Sequence, residues 1–401
     1  MVVHFKQLNT SSSSFIGAII FLILLIAVGG YAAHAMESYG HWVSGMNNQI
    51  VWGLPHVFAI FLILAASGAL NVASMGSVFS ISIYKPWSRF SALLAICLLV
   101  GGLLVLVLDL GRPERLIVAM THYNFKSIFA WNIFLYTGFI AITIAYLGVM
   151  FERRFNVHTT KVGVLALVWR LVLTSGTGSI FGFIVARQFF DAAMMVPLFI
   201  VLSLVLGTAV FILMYLVVGC WGEVKRDQDI LLRLTRLLGY LLALELLLVA
   251  VFHLTNLYAA EHHGVERFIL LEGGVYTVLF WMGQITVGCL APLALIFATK
   301  LGSTLKGCVS VSLLSIFGGL TQLYVTIIGG QAFPLILFPG KQVRSSFFDG
   351  IVAEYTPAIY EWALGFGGIA VSLLLVIAAM RVLPFLPEFD RLTASTQSQT
   401  Q

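Results

Sequence analysis

The chain has 401 residues, 60% of them hydrophobic and 10% charged, against about 45–50% and about 25% in an ordinary soluble domain. That excludes a conventional globular enzyme and leaves an integral membrane bundle with little mass outside the bilayer. The formal charge of +5 is not gathered into a basic patch on a folded domain. No nucleic-acid partner is therefore expected, and the excess reads as membrane orientation.

The chain opens with Lys6, a serine run from Ser11 to Ser14 and an apolar stretch ending near Ala33-His34-Ala35, which imitates a secretory signal with its cleavage site. The apolar run Phe15–Ala33 exceeds the roughly 7–15 residues of a signal core and reads as a retained first helix. Nine further runs follow: Trp52–Phe79, Phe90–Leu108, Ile128–Met150, Val162–Val185, Met195–Val218, Leu237–Tyr258, Val275–Thr299, Val309–Gly330 and Trp362–Val382. Each is long enough to cross a hydrocarbon core of about 30 Å as a helix. The expected fold class is an all-α integral membrane protein of about ten transmembrane helices.

With the N-terminus inside, fourteen basic residues fall on inner segments, among them Lys225 and Arg391. Seven fall on outer ones, among them Lys341 and Arg344, and Arg170 lies within a span. Both termini then face the cytoplasm. One outer loop opposes the bias: Asp109-Leu-Gly-Arg-Pro-Glu-Arg115 packs two arginines and two acids into seven residues, and Lys126 follows. A solvated turn stopped by Gly111 and Pro113 is the bland reading. Basic residues on the outer side oppose insertion, however, so docking is the sharper one. The longest outer segment, 331–361, carries Lys341, Arg344, Asp349, Glu354, Tyr355 and Tyr360, enough to cover the bundle or bind a partner.

Polar side chains in hydrocarbon are costly unless they face protein or water, so the intramembrane ones are informative. On the second helix His56, Ser67, Asn71 and Ser74 form one polar stripe, with His56 near the outer end. On the seventh, Glu245, His253 and Asn256 share an arc, with His253 and Asn256 outside and Glu245 at mid-depth. Asp109 ends the third helix outside. Trp131 and Asn132 begin the fourth, Gln284 lies on the eighth and Gln322 on the ninth. For any one of Asn71, Asn132, Gln284 or Gln322, interhelical glue is the competing reading. An unpaired carboxylate at mid-membrane must be protonated or paired, so Glu245 is as much a proton-handling candidate as a structural one. The sixth helix lacks strong polar residues until Gly219 and is expected to face lipid.

Cys97, Cys220, Cys289 and Cys308 contain no CxxC pair. The chain therefore supplies neither a familiar zinc site nor an iron–sulfur cluster, and any cluster belongs to a partner.

At Trp52-Gly-Leu-Pro-His-Val-Phe, at Ala65-Ala-Ser-Gly-Ala-Leu, and above all at Leu108-Asp-Leu-Gly-Arg-Pro-Glu-Arg-Leu followed by Asn124-Phe-Lys-Ser-Ile-Phe-Ala-Trp-Asn, the sequence resembles the NrfD/PsrC family. The resemblance runs from about Trp52 to the last helix. Ten spans rather than eight look like its longer branch, which includes HybB and DsrP, with the phrasing most like DsrP. The resemblance implies a single membrane domain whose core is two four-helix bundles (52–185 and 195–330), with an outer segment, a last helix and a cytoplasmic tail (383–401). It implies a quinone-binding subunit with menaquinone or ubiquinone as exchangeable ligand and no bound metal or haem. Its implied partners are a periplasmic ferredoxin-like iron–sulfur subunit and further redox subunits, such as a cytochrome or haem membrane subunit. Its implied place is the bacterial or archaeal cytoplasmic (inner) membrane.

Quinol oxidation releases two protons and two electrons, so a site needs hydrogen-bond partners for both oxygens, a base and an apolar slot. His56, Asp109 and His253 are credible bases or acceptors. Tyr123 and Asn132 are candidate donors, Trp131 a candidate wall, and Arg112 a partner that would hold Asp109 ionised. Glu245, Gln284 and Arg170 are candidates for a proton path. Two rivals remain: a haem b carrier with His56 and His253 as axial ligands, and a secondary transporter with Glu245 and Arg170 on its path, for which helices broken at the midplane are expected.

Overall fold

The computed structural model describes residues 3–222, 224, 226–335 and 350–389. Lys225, Lys341, Arg344, Asp349 and Arg391, assigned above to loops and tail, lie outside the described residues. Among the described residues, ten helices are long and apolar enough to span: α1 (Ser13–Tyr39), α2 (Leu54–Ser77), α3 (Lys85–Leu108), α4 (Ile128–Phe151), α5 (Arg153–Gly182), α6 (Met195–Trp221), α7 (Gln228–Tyr258), α8 (Val275–Phe297), α9 (Leu305–Ala332) and α10 (Ile359–Val382). The shortest has 23 residues and at 1.5 Å per residue reaches roughly 34 Å, enough for the bilayer core.

Polar residues set the starts. Ser12 caps α1 by accepting from the Phe15 amide, and Asp227 and Thr304 cap α7 and α9 in the same way. Pro55 stands in the first turn of α2, where its missing N–H costs nothing. The first helix runs past the expected Ala33, because Ala33-His34-Ala35 continues its turn as far as Tyr39.

Near the termini, β1 (Val3–Lys6) pairs antiparallel with β2 (Leu386–Phe389), with Lys6 opposite Leu386. The two described ends of the chain therefore share one face, as an even number of spans requires. The Leu8 amide donates to the Met380 carbonyl, Gln7 to that of Val382, and the Arg381 guanidinium reaches the Thr10 carbonyl.

Helix α1 lies at the edge against α10, and α10 packs on α2 and α3. Going round, α2 packs on α3, α3 on α4, α4 on α5, and α5 returns to α2. A second ring of contacts runs α6, α7, α8, α9 and back to α6. The rings meet where α6 lies against α2 and α5. This corrects the expectation that the sixth helix faces lipid, since 67% of its apolar window is buried, against 22% for α1. The physical reason is size rather than polarity: a Cβ on Gly207 would stand 2.1 Å from the Gly68 carbonyl carbon, so α2 and α6 touch backbone to backbone.

Three helices are irregular. Helix α2 is two helices, Leu54–Ala69 and Asn71–Ser77, meeting at Leu70. At that break Arg170 donates to the Ser67 carbonyl (3.2 Å) and to Asn71 Oδ1 (3.2 Å). Helix α8 is π-helical over Leu279–Leu290 and α9 over Val325–Gly329.

Candidate functional site

On the face opposite the paired termini, the end of α3 meets the start of α2. Asp109 caps α3 and is 5% exposed. Its Oδ2 lies 2.7 Å from Nδ1 of His56, in the first turn of α2. The contact has ion-pair distance but is bent from hydrogen-bond geometry, so both buried Asp109 oxygens keep acceptor capacity unspent. His56 is partly open, with 17% of its side chain exposed. Gly111 then turns the chain at φ +70, and a side chain there would stand 2.8 Å from Nε2 of His41, which places a second imidazole against the turn two residues after Asp109.

The aromatic ring that lies against His56 is Trp52. The Trp52 ring stacks on His56 at 6.0 Å and on Phe190 at 6.4 Å, with Phe129 and Phe181 against it. Its backbone is clamped from the second ring of helices: Gln331 Oε1 accepts from the Val51 and Trp52 amides, and Gln331 Nε2 donates to the Trp52 carbonyl. Arg187, in the segment between α5 and α6, donates to the carbonyls of Gln331 (2.7 Å) and Gln49 (2.7 Å). Sequence reasoning missed Trp52, Gln331 and Arg187. Trp52 opens one of the family-like motifs, but nothing local marks the other two, because their contacts cross 138 to 280 positions of chain.

The outer segment also reaches this end. The Tyr355 hydroxyl accepts from the Leu54 amide and donates to Glu361, which is fully buried and also accepts from the Gly45 and Ala358 amides. Burial, and then the adjoining Glu361 carboxylate, hold the Tyr355 phenol well above its ordinary pKa, so its proton stays in place for that bond.

The other sequence candidates are placed as follows. Arg112 is exposed and makes no ion pair with Asp109; His56 occupies that position. Tyr123 stacks on Phe134 at 4.6 Å. Trp131 is 48% exposed, with its Nε1 donating to the Phe125 carbonyl. Asn132 is buried and ties α4 to α5 through the Gly176 carbonyl, which is the glue role, while its Oδ1 is unpartnered. Around this loop Leu110, Ile117, Val118, Phe125 and Phe129 are all exposed, a run of apolar side chains at one membrane edge.

His253 does not join this group. Its Nδ1 lies 2.6 Å from Oε2 of the fully buried Glu266, whose Oε1 accepts from Asn256, all within the α6–α9 ring. His56 and His253 thus each face a different carboxylate, with Phe190 against Trp52 on one side and Phe189 against His253 on the other. Gln284 and Gln322 line a cavity beside His253. Glu245 is buried in the same ring with Oε1 unpartnered, whereas Arg170 belongs to the α2–α5 ring. Among the described residues no cluster of three or more His, Cys, Asp or Glu could hold a metal ion.

Ten apolar helices, with two buried His–carboxylate pairs toward the end opposite the termini, define a multi-pass integral membrane protein. The polysulphide reductase NrfD family model matches residues 42–335, and the protein belongs to that family. It is 28% identical to the Hdr-like menaquinol oxidoreductase integral membrane subunit of Archaeoglobus fulgidus, over 97% of its own length and 98% of the relative's. It is 24% identical to a selenate reductase subunit from Mesobacillus selenatarsenatis (90% and 92% covered). It is also 24% identical to a polysulfide reductase chain from Wolinella succinogenes (71% and 96% covered). Membrane subunits of redox complexes are thus what this protein is similar to along nearly all its length.

Proposed function

We propose that this chain is the quinone-binding membrane subunit of a redox complex, exchanging electrons between menaquinol or ubiquinol and an iron–sulfur subunit docked on the outer face. The observation that carries the reading is the His56–Asp109 pair under the Trp52 ring, with buried acceptors unspent and an apolar edge beside it. Support for the menaquinone class is the name borne by the Archaeoglobus relative. In this reading Asp109 holds the Nδ1 side of the imidazole and Nε2 receives a proton from a quinol hydroxyl. The second hydroxyl donates to an unspent Asp109 oxygen or to His41. The two electrons leave to the partner's cluster, and the ring lies against Trp52 and Phe129, having entered from the lipid.

The contact rings α2–α5 and α6–α9 are then the two four-helix units, and the first holds the quinone. The exposed arginines Arg112 and Arg115 meet the partner, and further redox subunits complete the complex. The paired termini lie in the cytoplasm and the site at the outer surface of the cytoplasmic membrane, as the excess of basic residues on the terminal side favours. Purification from native membrane tests this. The reading expects an iron–sulfur subunit to copurify and the complex to oxidise a quinol analogue or reduce a quinone. A protein that purifies alone and turns over neither contradicts it.

A further inference from the structure

The α6–α9 ring holds a partly open cavity of about 20 Å³ lined by His253, Gln284, Gln322 and Thr326 among apolar walls. A water needs about 10–15 Å³ and two to four polar partners. The cavity therefore suits one water and cannot take a quinone ring. Gln322, 3% exposed, has its Nε2 unpartnered in this wall. Gln284 and Thr326 both stand on the π-helical stretches of α8 and α9, a distortion found mostly at functional sites.

We infer that this cavity is a hydrated proton-holding site, built on the His253–Glu266 pair and separate from the quinone site. Glu266 spends one oxygen on His253 Nδ1 and the other on Asn256, so Nε2 is the imidazole nitrogen left to exchange. In the resting pair a neutral imidazole shares its Nδ1 proton with the Glu266 carboxylate. The cavity water relays one proton to Nε2, taking a proton from water at the outer face as it gives one up, so that the water is unchanged and the pair becomes imidazolium beside carboxylate. No electrons move in this step, and the pair returns the same proton on release. Glu266 is the one titratable group facing His253 among the described residues; those that line the cavity with it are uncharged. Glu245 lies eight residues earlier on α7, about 12 Å deeper at helical rise, also buried with one oxygen unpartnered. It marks the inward continuation of the site, while Arg170, bonded to Ser67 and Asn71 in the other ring, does not belong to it.

The driving reaction rests on the proposed quinone function, so the test has two arms. In the first, the intact complex without quinone is titrated by infrared difference spectroscopy in H2O and D2O. The parent shows an exchange-sensitive imidazole and carboxylate signal that Glu266→Gln and His253→Gln each remove. A parent without that signal, or variants that keep it, overturns the inference whatever the quinone chemistry. In the second, the complex in vesicles with an entrapped pH dye is driven by quinol. His253→Gln should keep the electron rate within about twofold while moving fewer protons per electron, and Gln322→Leu, which fills the cavity without touching the pair, should do the same. Unchanged protons per electron, or a loss of quinone affinity matching that of His56→Ala, overturns it. A parent with no quinol-driven electron transfer defeats the quinone reading alone.

Discussion

Asp109 Oδ2 stands 2.7 Å from His56 Nδ1, joining the residue that ends one membrane helix to the first turn of another, 53 positions earlier in the chain. A buried carboxylate that fixes one imidazole nitrogen leaves the other for proton transfer. His56→Ala and Asp109→Asn should each lower quinol-linked electron transfer by about 100-fold, the usual scale of a lost general base, with assembly intact. Steady-state turnover of the purified complex checks this, and a His56→Ala variant at parental rate removes His56 from the site.

Gln331 acts on the site through Trp52. Its amide makes three bonds to the Val51–Trp52 backbone, and a buried backbone group left unpaired costs about 1–3 kcal/mol. Gln331→Ala should therefore raise the KM for quinol by about tenfold, or about 1.4 kcal/mol, with a smaller change in kcat. A fall confined to kcat would mean that Trp52 does not wall the ring.

Arg112 and Arg115 are exposed and make no ion pairs among the described residues. An outer basic pair of this kind contributes to docking through screened charge. The double alanine variant should weaken retention of the iron–sulfur subunit, most clearly at low salt, where the charge is least screened, while leaving thermal stability near parental. Retention equal to that of the parent at every salt concentration would make the loop a turn and nothing more.

Hydropathy alone carried the ten spans, because each must satisfy its backbone within itself and hide few charges. Residue count along the helices also set His56 and Asp109 at one depth, and the fold brings them into contact. What stayed hidden were relations between helices. The sixth helix looked lipid-facing because it lacks polar residues, yet Gly207 lets it sit against Gly68 at the centre. His253 shared its depth with His56 and so looked like a partner, but depth does not say which ring of helices a residue faces. Glu266 supplies its carboxylate from a short segment beyond the end of α7, too near the helix to look like anything but a loop acid. Trp131 and Tyr123, chosen for residue type, pack on their own neighbours.

The junction of α2 and α6 predicts a stability effect separate from chemistry. Gly207→Leu forces a side chain into the Gly68 backbone, and overpacking of this kind costs typically about 1–3 kcal/mol or more. The variant should lose several degrees of thermal stability in detergent, or fail to accumulate in the membrane. Parental melting would mean that the two helices stand further apart.

Asn71 and Arg170 form a contact of the same structural sort. Asn71→Ala removes one of the two acceptors of a buried guanidinium, a loss of about 1–3 kcal/mol or more for a charged donor. Detergent stability should fall while quinol turnover per folded complex stays near parental, and a turnover defect at unchanged stability would move Asn71 into the site.

A photoreactive quinone analogue cross-linked to the intact complex, with its adducts mapped by peptide mass spectrometry, tests the central claim most directly. Adducts are expected on the segments around Trp52–His56 and Asp109–Phe129, displaced by excess quinone and lost in His56→Ala. Displaceable adducts on the walls of the other ring instead, around His253, Phe280–Gln284 or Gln322–Thr326, would contradict it.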